Sequence, residues 1–456
     1  MIFLKDLART VSKMYSKINY DNLPKNVIEI TKMFIMDSIG TSLAGTHAPG
    51  CQETVDVFKS MGGKPESTVI GFSLKLPAHF SALINSMTTH ALDFDDTYDP
   101  AAMHCYTSTL PAALAIAEKK QNVSGKLLIS SVALGVDLCA RLGAAINSPL
   151  SWIRSSTCGS FSSALAASKV SGLSEDKILN ALGIVYSQTS GNAQCLIDGG
   201  LAKRMQPAFA ASSGVIAALL SETGLTGARD VFEGKYGFFN LYERGNYSRE
   251  IVLENLGNEF YGTKISIKPY PSCRMTHASI DAALYLRENY EFELKDVEKI
   301  ELYTSQMVKD MVGGPFTIRE NPQVDAQFSI PYTVSIALAK GKPFIDDFYN
   351  DRVRNHNADL INKIAVFSDD KLDPRDIKSA TIRLYFKNGK ELNYKVDIFK
   401  GNPENPLSQT EYIEKFKKCA NFGLKKFSET QLDELTEKIL NLEKVENISE
   451  FTQVLN

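Results

Sequence analysis

The hydrophobic period of this chain changes once, near residue 260, and the change separates two kinds of secondary structure. From Phe3 to about Glu259, apolar residues recur at the three- and four-residue spacing of helices. Past Tyr261 they begin to alternate with polar residues, which is typical of strands. The pattern predicts a helical region followed by a region of mixed α and β structure.

The helical region consists of segments separated by short breakers. One segment opens at Leu23-Pro24 and ends near Gly40, and further helices are predicted at 79–92, 108–120, 124–146, 160–169, 176–187 and 208–222. Several are rich in Ala, Ser and Gly, as in SSALAASK and AFAASSGVIAALL. Small side chains let helix axes approach closely, so we expect helices that are buried on more than one side.

The second region is predicted to contain strands at 264–268, 297–304, 380–386 and 391–398, with helices at 276–288, 327–340 and 345–352. The last two strands flank Asn388-Gly389, the preferred pair of a type I′ hairpin turn. Beyond Gly401-Asn402-Pro403 the helical pattern returns, at 410–420 and 428–441, and these helices are expected to pack on the first region. We therefore expect a mostly α protein, with a large all-helical domain (residues 1–263 and 404–456) and a smaller α+β domain (residues 264–403).

Charge and composition exclude several classes of partner. The 456 residues carry a formal net charge of −3, so bulk electrostatics predicts no binding to nucleic acid or to an anionic membrane. Lys5, Arg9 and Lys13 interrupt the apolar amino-terminal stretch, and no run of about 18 apolar residues occurs. Seven cysteines without a C-x-x-C pair are typical of reduced thiols and predict no zinc or iron–sulfur site. We expect a cytoplasmic protein.

The densest group of acidic residues is flanked by histidines. The group consists of His90, Asp93, Asp95, Asp96, Asp99 and His104, in and just after TTHALDFDDTYDP. If the helix from 79 continued to 97, Asp93 and Thr97 would be neighbours on one face. Carboxylates and imidazole suit a divalent metal, but a capped helix end with solvated acids has the same pattern. The EF-hand and H-E-x-x-H spacings are absent, and we expect no metal.

Two basic blocks are candidates for binding an anion. In DGGLAKRMQP (198–207), a Gly pair precedes Lys203 and Arg204 at the head of an apolar helix, where a carboxylate would be attracted. In KPYPSCRMTHASIDAALYL (268–286), Thr276 or Ser272 is expected to cap a helix whose first turn holds His277. An imidazole at a helix amino terminus tends to stay neutral and able to accept a proton. The structural alternative is a loop histidine that forms part of the cap.

Five blocks together resemble the MmgE/PrpD family. They are LDFDDT with a following histidine, GGLAKRM before a small-residue helix, KPYPSCRMTH-xx-xDA, AQFSIPYTVSIALAKG (326–341) and FKGNPENPLS (399–408). This family includes 2-methylcitrate dehydratase, cis-aconitate decarboxylase and iminodisuccinate epimerase. The resemblance spans essentially the whole chain. It implies a helical domain completed by the carboxy-terminal helices, an α+β lid domain and a homodimer.

The resemblance also implies functional residues. The catalytic set that it implies is Asp93, Thr97, His104, Lys203 and His277, and we assign substrate binding to Lys268, Arg274, Arg204 and Tyr332. One position departs from the decarboxylase pattern, because WIRSSTCG (152–159) has Ile153 where the similar segment has histidine. A titratable group is therefore missing at that position.

The reactions of this family form or quench a carbanion next to a carboxylate or imine in a small polyanionic acid. Lysine and arginine can hold the carboxylates and stabilise the enolate-like charge, and we assign proton transfer to His277. The sequence predicts a cofactor-independent lyase that removes water, or CO₂, from a di- or tricarboxylic acid, similar to 2-methylcitrate dehydratase. An epimerase of the iminodisuccinate type is the alternative reaction. A non-catalytic binding module that keeps the fold is the alternative class.

Overall fold

The computed structural model describes residues 6–456, which form two compact units. The helical unit consists of the described residues up to Ala91, Asp95–Ser266 and Ser408–Asn456. The α+β unit consists of Leu92–Phe94 and Ile267–Leu407. The predicted helical start at Phe3 lies outside the described residues. The chain therefore contributes to the α+β unit twice, the first time with only three residues.

Among the described residues, twelve α-helices of the helical unit precede residue 266. They are α1 (Leu7–Lys17), α2 (Lys25–Gly45), α3 (Cys51–Met61), α4 (Ala78–His90), α5 (Tyr106–Lys120), α6 (Gly125–Ala145), α7 (Arg154–Val170), α8 (Glu175–Tyr186), α9 (Gln194–Ile197), α10 (Met205–Glu222), α11 (Phe238–Tyr242) and α12 (Arg249–Leu253). Helix α10 packs on α7 and α4, and α7 also packs on α5 and α6. The prediction of helices buried on more than one side is confirmed.

A short antiparallel ladder interrupts these helices. Strand β1 (Ser67–Val69) pairs with β2 (Leu74–Leu76), with Ser67 opposite Leu76. The sequence analysis missed this ladder because strands of three residues are too short to show alternation. The helical unit is therefore not purely helical.

Helix α6 is a core helix. Within residues 6–456, it is the one helix long and apolar enough to cross a membrane, and 89% of its most apolar 18-residue window is buried inside the protein. It also carries a fully buried ion pair, in which Arg141 Nε lies 3.0 Å from Asp137 Oδ2. Asp137 accepts further hydrogen bonds from the Tyr15 hydroxyl and the Tyr261 backbone N–H. Such contacts are those of a helix surrounded by protein.

The α+β unit contains the sheet. Its elements are α13 (His277–Asn289), β3 (Val297–Thr304), α14 (Gln306–Val312), α15 (Pro322–Gln327), α16 (Ile330–Lys340), α17 (Asn350–Arg354), α18 (Ala358–Ile361), β4 (Ile364–Ser368), β5 (Ala380–Phe386) and β6 (Glu391–Val396). The strand order is β4-β3-β5-β6, with β3 and β4 parallel and the other pairs antiparallel. Helices α13 and α16 pack together, and α13 also covers β5 and β6. The predicted fold class, mostly α with a smaller α+β part, is confirmed.

The carboxy-terminal helices belong to the helical unit. They are α19 (Gln409–Phe422), α20 (Glu429–Leu440) and α21 (Ile448–Gln453). Both α19 and α20 begin with a capping box, formed by Ser408 with Glu411 and by Ser428 with Gln431. Helix α19 packs on α2, where Lys415 Nζ lies 2.5 Å from Asp37 Oδ1 in a buried ion pair.

Two predictions about the strands are wrong. Residues 264–268 form no strand, because the segment meets single residues instead of a ladder: Ser266 exchanges hydrogen bonds with Thr97, and the Ile267 N–H donates to the Gly401 carbonyl. The β5–β6 hairpin exists, but its turn is not type I′. A type I′ turn needs a positive φ at both Asn388 and Gly389, and of these two residues only Gly389 has one, of 81°. The loop therefore fits a turn followed by a left-handed glycine.

Two predicted helices are also shorter than expected. The helix predicted at 327–340 begins three residues later, as α16 at Ile330, because Ser329 accepts the Tyr332 N–H and caps the helix there. Gln327 is the last residue of a separate helix, α15. Helix α4 ends at His90 and does not continue to residue 97. The face that Asp93 and Thr97 were expected to share therefore does not exist.

A glycine permits the close approach of α7 and α10. A Cβ added at Gly214 would lie 2.4 Å from Ser163 Cβ and 2.7 Å from the Ala164 nitrogen. We expect Gly214→Ala to lower the free energy of unfolding by about 1–3 kcal/mol through overpacking, although alanine is the better helix former. Chemical denaturation measures the change. Gly200→Ala is the matched control, since Gly200 has a φ of −71° and open space at its Cβ position, and equal stability of the two variants would contradict this account.

Candidate active site

Four of the predicted site residues lie together in the α+β unit. We call Asp93, Lys268, Arg274 and His277 the lysine–histidine cluster. Lys268 Nζ donates to the Asp93 carbonyl at 2.9 Å and lies 3.3 Å from Asp93 Oδ1. Arg274 Nη1 lies 3.1 Å from His277 Nδ1 and also donates to the Ile267 carbonyl. All four side chains are buried.

The backbone around this cluster is held by residues from two of the recognised sequence blocks. The Gln327 side chain donates to the carbonyls of Leu92 at 2.8 Å and Pro271 at 3.1 Å, and so joins the two loops that carry the cluster. Gly401 has a φ of +87°, and a Cβ there would lie 2.2 Å from the Ile267 carbonyl oxygen. These two contacts explain why glutamine and glycine occupy these positions.

The surroundings of His277 favour its neutral form, through causes that differ from the helix terminus expected from the sequence. Burial lowers the pKa of His277 well below its ordinary value, and the charges of Arg274 and Lys268 lower it further. The hydroxyl of the N-cap residue Thr276 does not cap α13, since it donates instead to the Cys273 carbonyl. Because Nδ1 accepts from Arg274, Nε2 carries the proton and faces the Ser272 carbonyl at 3.3 Å.

A second cluster lies in the helical unit. We call His90, Asp95, Asp96, His104 and Thr107 the histidine–aspartate cluster. Asp95 Oδ2 lies 2.8 Å from His90 Nδ1, 3.2 Å from His104 Nδ1 and 2.5 Å from the Thr107 hydroxyl. His104 Nδ1 also lies 2.5 Å from the Asp96 carbonyl. One carboxylate oxygen is thus shared by two imidazoles and a hydroxyl.

The neighbouring carboxylates of Asp95 and Asp96 have opposite electrostatic surroundings. Burial alone would raise the pKa of Asp95, but His104 and His90 hold that pKa well below its usual range. Asp96 caps α5 by accepting the N–H groups of Cys105 and Tyr106. Burial and the charge of Asp95 nevertheless raise the pKa of Asp96 to about 7.

The remaining predicted residues are placed as follows. Lys203 follows the Gly pair in a short 3₁₀ turn. The pKa of His90 is lowered mainly by burial, and the charge of Lys203 lowers it further. Lys203 therefore acts on the histidine–aspartate cluster. Thr97 is buried and exchanges two backbone hydrogen bonds with Ser266.

Two side chains predicted to bind substrate have structural contacts. Arg204 is buried, and its guanidinium donates to the Pro49 carbonyl at 2.7 Å. Burial raises the pKa of the nearby Cys51 thiol, and the guanidinium partly opposes this rise. Tyr332 packs in a small apolar core, and its hydroxyl donates to the Asp347 carbonyl at 2.5 Å. The motif that contains Tyr332 does not reveal which face of α16 is buried. The substrate-binding roles of Arg204 and Tyr332 stay predictions.

The histidine–aspartate cluster is also a candidate for binding a metal. The ligand atoms of His90, Asp95 and His104 all lie within 4.8 Å of one another. However, the Nδ1 atoms and Asp95 Oδ2 already make the hydrogen bonds described above, and these account for the arrangement without an ion. The absence of a metal stays a prediction.

Sequence reasoning missed three roles. Asp95 was named only as a member of the acidic group, without a role of its own, and Thr107 gave no signal, since a threonine in a helix is ordinary. Gln327 stands in a block that carries the resemblance, AQFSIPYTV, and this was the available signal.

The buried histidines predict a stability loss in acid. The pKa of His90 is lowered to about 4, so the unfolded chain, with a histidine pKa of about 6.5, binds a proton that the folded chain does not. Unfolding free energy therefore falls as pH drops from about 6.5 toward 4, and His90 accounts for about 2 kcal/mol at pH 5. The effect of Asp96 on stability has the opposite sign, because its raised pKa makes the folded chain bind a proton that the unfolded chain does not. We expect His90→Gln to lose less stability than wild type between pH 7 and pH 5 in urea unfolding; equal losses would show that His90 is not buried in neutral form.

Comparison with known proteins agrees with the sequence blocks. The MmgE/PrpD N-terminal domain matches residues 9–250, and the MmgE/PrpD C-terminal domain matches residues 270–441. The chain is 26% identical to the cis-aconitate decarboxylase of Aspergillus terreus over 97% of this chain and 94% of that protein. It is 27% identical to the Homo sapiens cis-aconitate decarboxylase, over 100% and 95%. The cis-aconitate decarboxylase-like protein oryM of Aspergillus oryzae is 26% identical, over 97% and 95%. Because the two domain matches cover most of the sequence and these enzymes align along nearly their whole length, this chain belongs to the MmgE/PrpD family and is a lyase.

Proposed function

We propose that this protein is a carboxy-lyase that removes CO₂ from a small tricarboxylic acid of the cis-aconitate type, without a cofactor. The full-length relatives are named decarboxylases, which favours loss of CO₂ over the loss of water that the sequence analysis put first. The observation that carries the proposal is the buried lysine–histidine cluster. The homodimer and the cytoplasmic location stay proposals that rest on the sequence.

The charges around His277 suit an anionic substrate. Two cations, Lys268 and Arg274, and one carboxylate, Asp93, act on this imidazole. Fixed buried cations attract an anionic group, and this favours binding of a polyanion. The same fixed cations would stabilise the enolate-like charge that develops during the reaction.

The proposed reaction is a decarboxylation followed by a protonation. The C–C bond to one carboxylate breaks, CO₂ leaves, and the electron pair stays on the substrate carbon, delocalised toward a neighbouring carboxylate. A proton then bonds to a carbon of this anion and completes the product. The net reaction consumes one proton and releases one CO₂.

His277 has a different role in this proposal from the one that the sequence predicted. Both of its ring nitrogens are engaged and the side chain is fully buried. We therefore assign it the task of orienting Arg274, whose guanidinium also lies 3.7 Å from the centroid of the Phe399 ring. The buried Ile153, at the start of α7, supplies no titratable group. The proton must come from another side chain.

We expect Lys268→Met to reduce kcat by about 100-fold or more, because it removes one of the cations that stabilise the transition state. CO₂ release from cis-aconitate and NMR in D₂O measure the reaction, and the product should carry one solvent deuteron. Lys203→Ala and His277→Ala are expected to lose activity in the same assay, with the fold retained.

Lys415→Met is the matched control, because Lys415 also forms a buried pair with an aspartate, Asp37, but lies outside both clusters. Full activity of Lys268→Met would remove this lysine from the mechanism. Exchange of a substrate proton without CO₂ release would instead indicate the epimerase. Loss of water, seen as a new conjugated acid that absorbs in the far ultraviolet, would indicate the dehydratase.

A further inference from the structure

The carboxylate of Asp95 is completely buried and is held from three sides. His90, His104 and Thr107 all lie within hydrogen-bonding distance of its Oδ2 atom, at 2.8, 3.2 and 2.5 Å. The exposed fractions of the Asp95 and His90 side chains are 0% and 2%. An ionised carboxylate accepts hydrogen bonds only, so His90 and Thr107 donate to it, and the His104 Nδ1–H lies between Asp95 and the Asp96 carbonyl, which is 2.5 Å away.

This constraint sets the tautomer of His104. Its Nδ1 atom lies close to two acceptors, the Asp95 carboxylate and the Asp96 carbonyl, and so Nδ1 carries the proton of the neutral ring. Nε2 is then the basic nitrogen. The backbone N–H of His104 donates to the Ser155 hydroxyl at 2.9 Å, which fixes the ring's point of attachment.

His104 differs from the other two histidines discussed here. The His104 side chain is 13% exposed, whereas those of His90 and His277 are buried. His277 uses both ring nitrogens in contacts within the α+β unit. His104 combines partial exposure with a fixed tautomer, and these are the properties needed for proton transfer to a bound molecule.

We propose that Asp95 is a positioning residue that keeps His104 in the Nδ1–H tautomer, so that Nε2 of His104 delivers the proton in the proposed reaction, and that His90 and Thr107 hold the carboxylate in place. This inference rests on the proposed function. His104 enters as imidazolium, its Nε2–H bond breaks as the proton bonds to the substrate carbanion, and the ring returns to the Nδ1–H form. Between turnovers the neutral ring rests in the Nδ1–H form, and Nε2 takes a proton from water before each donation.

The test uses the full chain with Asp95→Asn. An amide side chain keeps the size of the carboxylate, removes one of the two acceptors at Nδ1 and can donate there in competition with the Asp96 carbonyl, so the Nε2–H tautomer of His104 gains population. ¹⁵N NMR of the histidine rings reads the tautomer, with the His104 signals identified by their loss in His104→Gln. We expect wild type to show Nδ1–H at His104 and Asp95→Asn to show a mixture or the other tautomer, with kcat lowered about 100-fold and KM changed less than threefold.

Glu118→Gln is the matched control. Glu118 is a buried carboxylate of the same unit, and its Oε2 atom also accepts from three donors, the Thr68 N–H, the Thr68 hydroxyl and Lys75. It lies outside both clusters, and we expect its substitution to leave the His104 signals and kcat unchanged.

A second pair of variants keeps the test decisive if Asp95→Asn does not fold. Thr107→Val removes one donor to Asp95 without a change of size, whereas Thr107→Ser retains the hydroxyl. We expect kcat to fall about tenfold in the valine variant and to recover in the serine variant.

The outcomes separate this inference from the proposed function. An Nε2–H tautomer of His104 in the wild type would overturn the positioning role of Asp95, whatever the enzyme's activity. Unchanged kcat in Asp95→Asn and Thr107→Val would overturn it as well. If wild type turns over no polycarboxylate but shows the predicted tautomer and its change in Asp95→Asn, the proposed function fails and the hydrogen-bond assignment stands.

Discussion

The first segment of the α+β unit, Leu92–Phe94, depends on the contact between the buried ammonium group of Lys268 and Asp93. A lysine that is 2% exposed needs compensation for its lost hydration, and Asp93 provides it through both a backbone carbonyl and a carboxylate. Asp93 adopts a φ of +53°, which non-glycine residues rarely adopt, so the ion pair must offset a local backbone cost. Gln327 adds a hydrogen bond to the preceding residue, Leu92. Polar contacts have a large part in keeping these three residues in place.

Burial has opposite consequences for the titratable groups of the two clusters. It keeps His90 and His277 uncharged, so cations can lie near these rings without strong repulsion. Burial raises the pKa of a carboxylate, and it does so at Asp96. At Asp95 the two imidazoles outweigh burial and keep the carboxylate ionised. Adjacent groups whose pKa values are driven apart are common where protons are transferred, because one group can hold charge while the other holds a proton. The sequence places these two groups side by side, and the fold makes them different.

The fold was largely predictable where the pattern was long. Helices α6 and α8 and strand β5 lie within one residue of their predicted bounds, since sustained periodicity and clear caps define them. Strands β1 and β2 and the turn at Asn388 depend on partners or dihedral angles that a short pattern does not encode. For the site, the wording of the family blocks pointed to Lys268 and His277, but periodicity alone did not. The block that contains Tyr332 did not indicate that this side chain packs in an apolar core, because a block does not show which side chains face the core. The sequence places Asp95 between His90 and His104, but which acidic residue of the group contacts both imidazoles depends on the path of the chain after α4.

The three-residue excursion at Leu92–Phe94 has a consequence for how this architecture can be rearranged. A fragment that spans only residues 267–407 would include Lys268 but would lack Asp93, and it would expose an ammonium site that the intact chain neutralises. The α+β unit is therefore not an exchangeable cassette. Recombination between relatives would have to transfer Leu92–Phe94 together with Ile267–Leu407. The two corresponding parts of the gene are therefore constrained to coevolve.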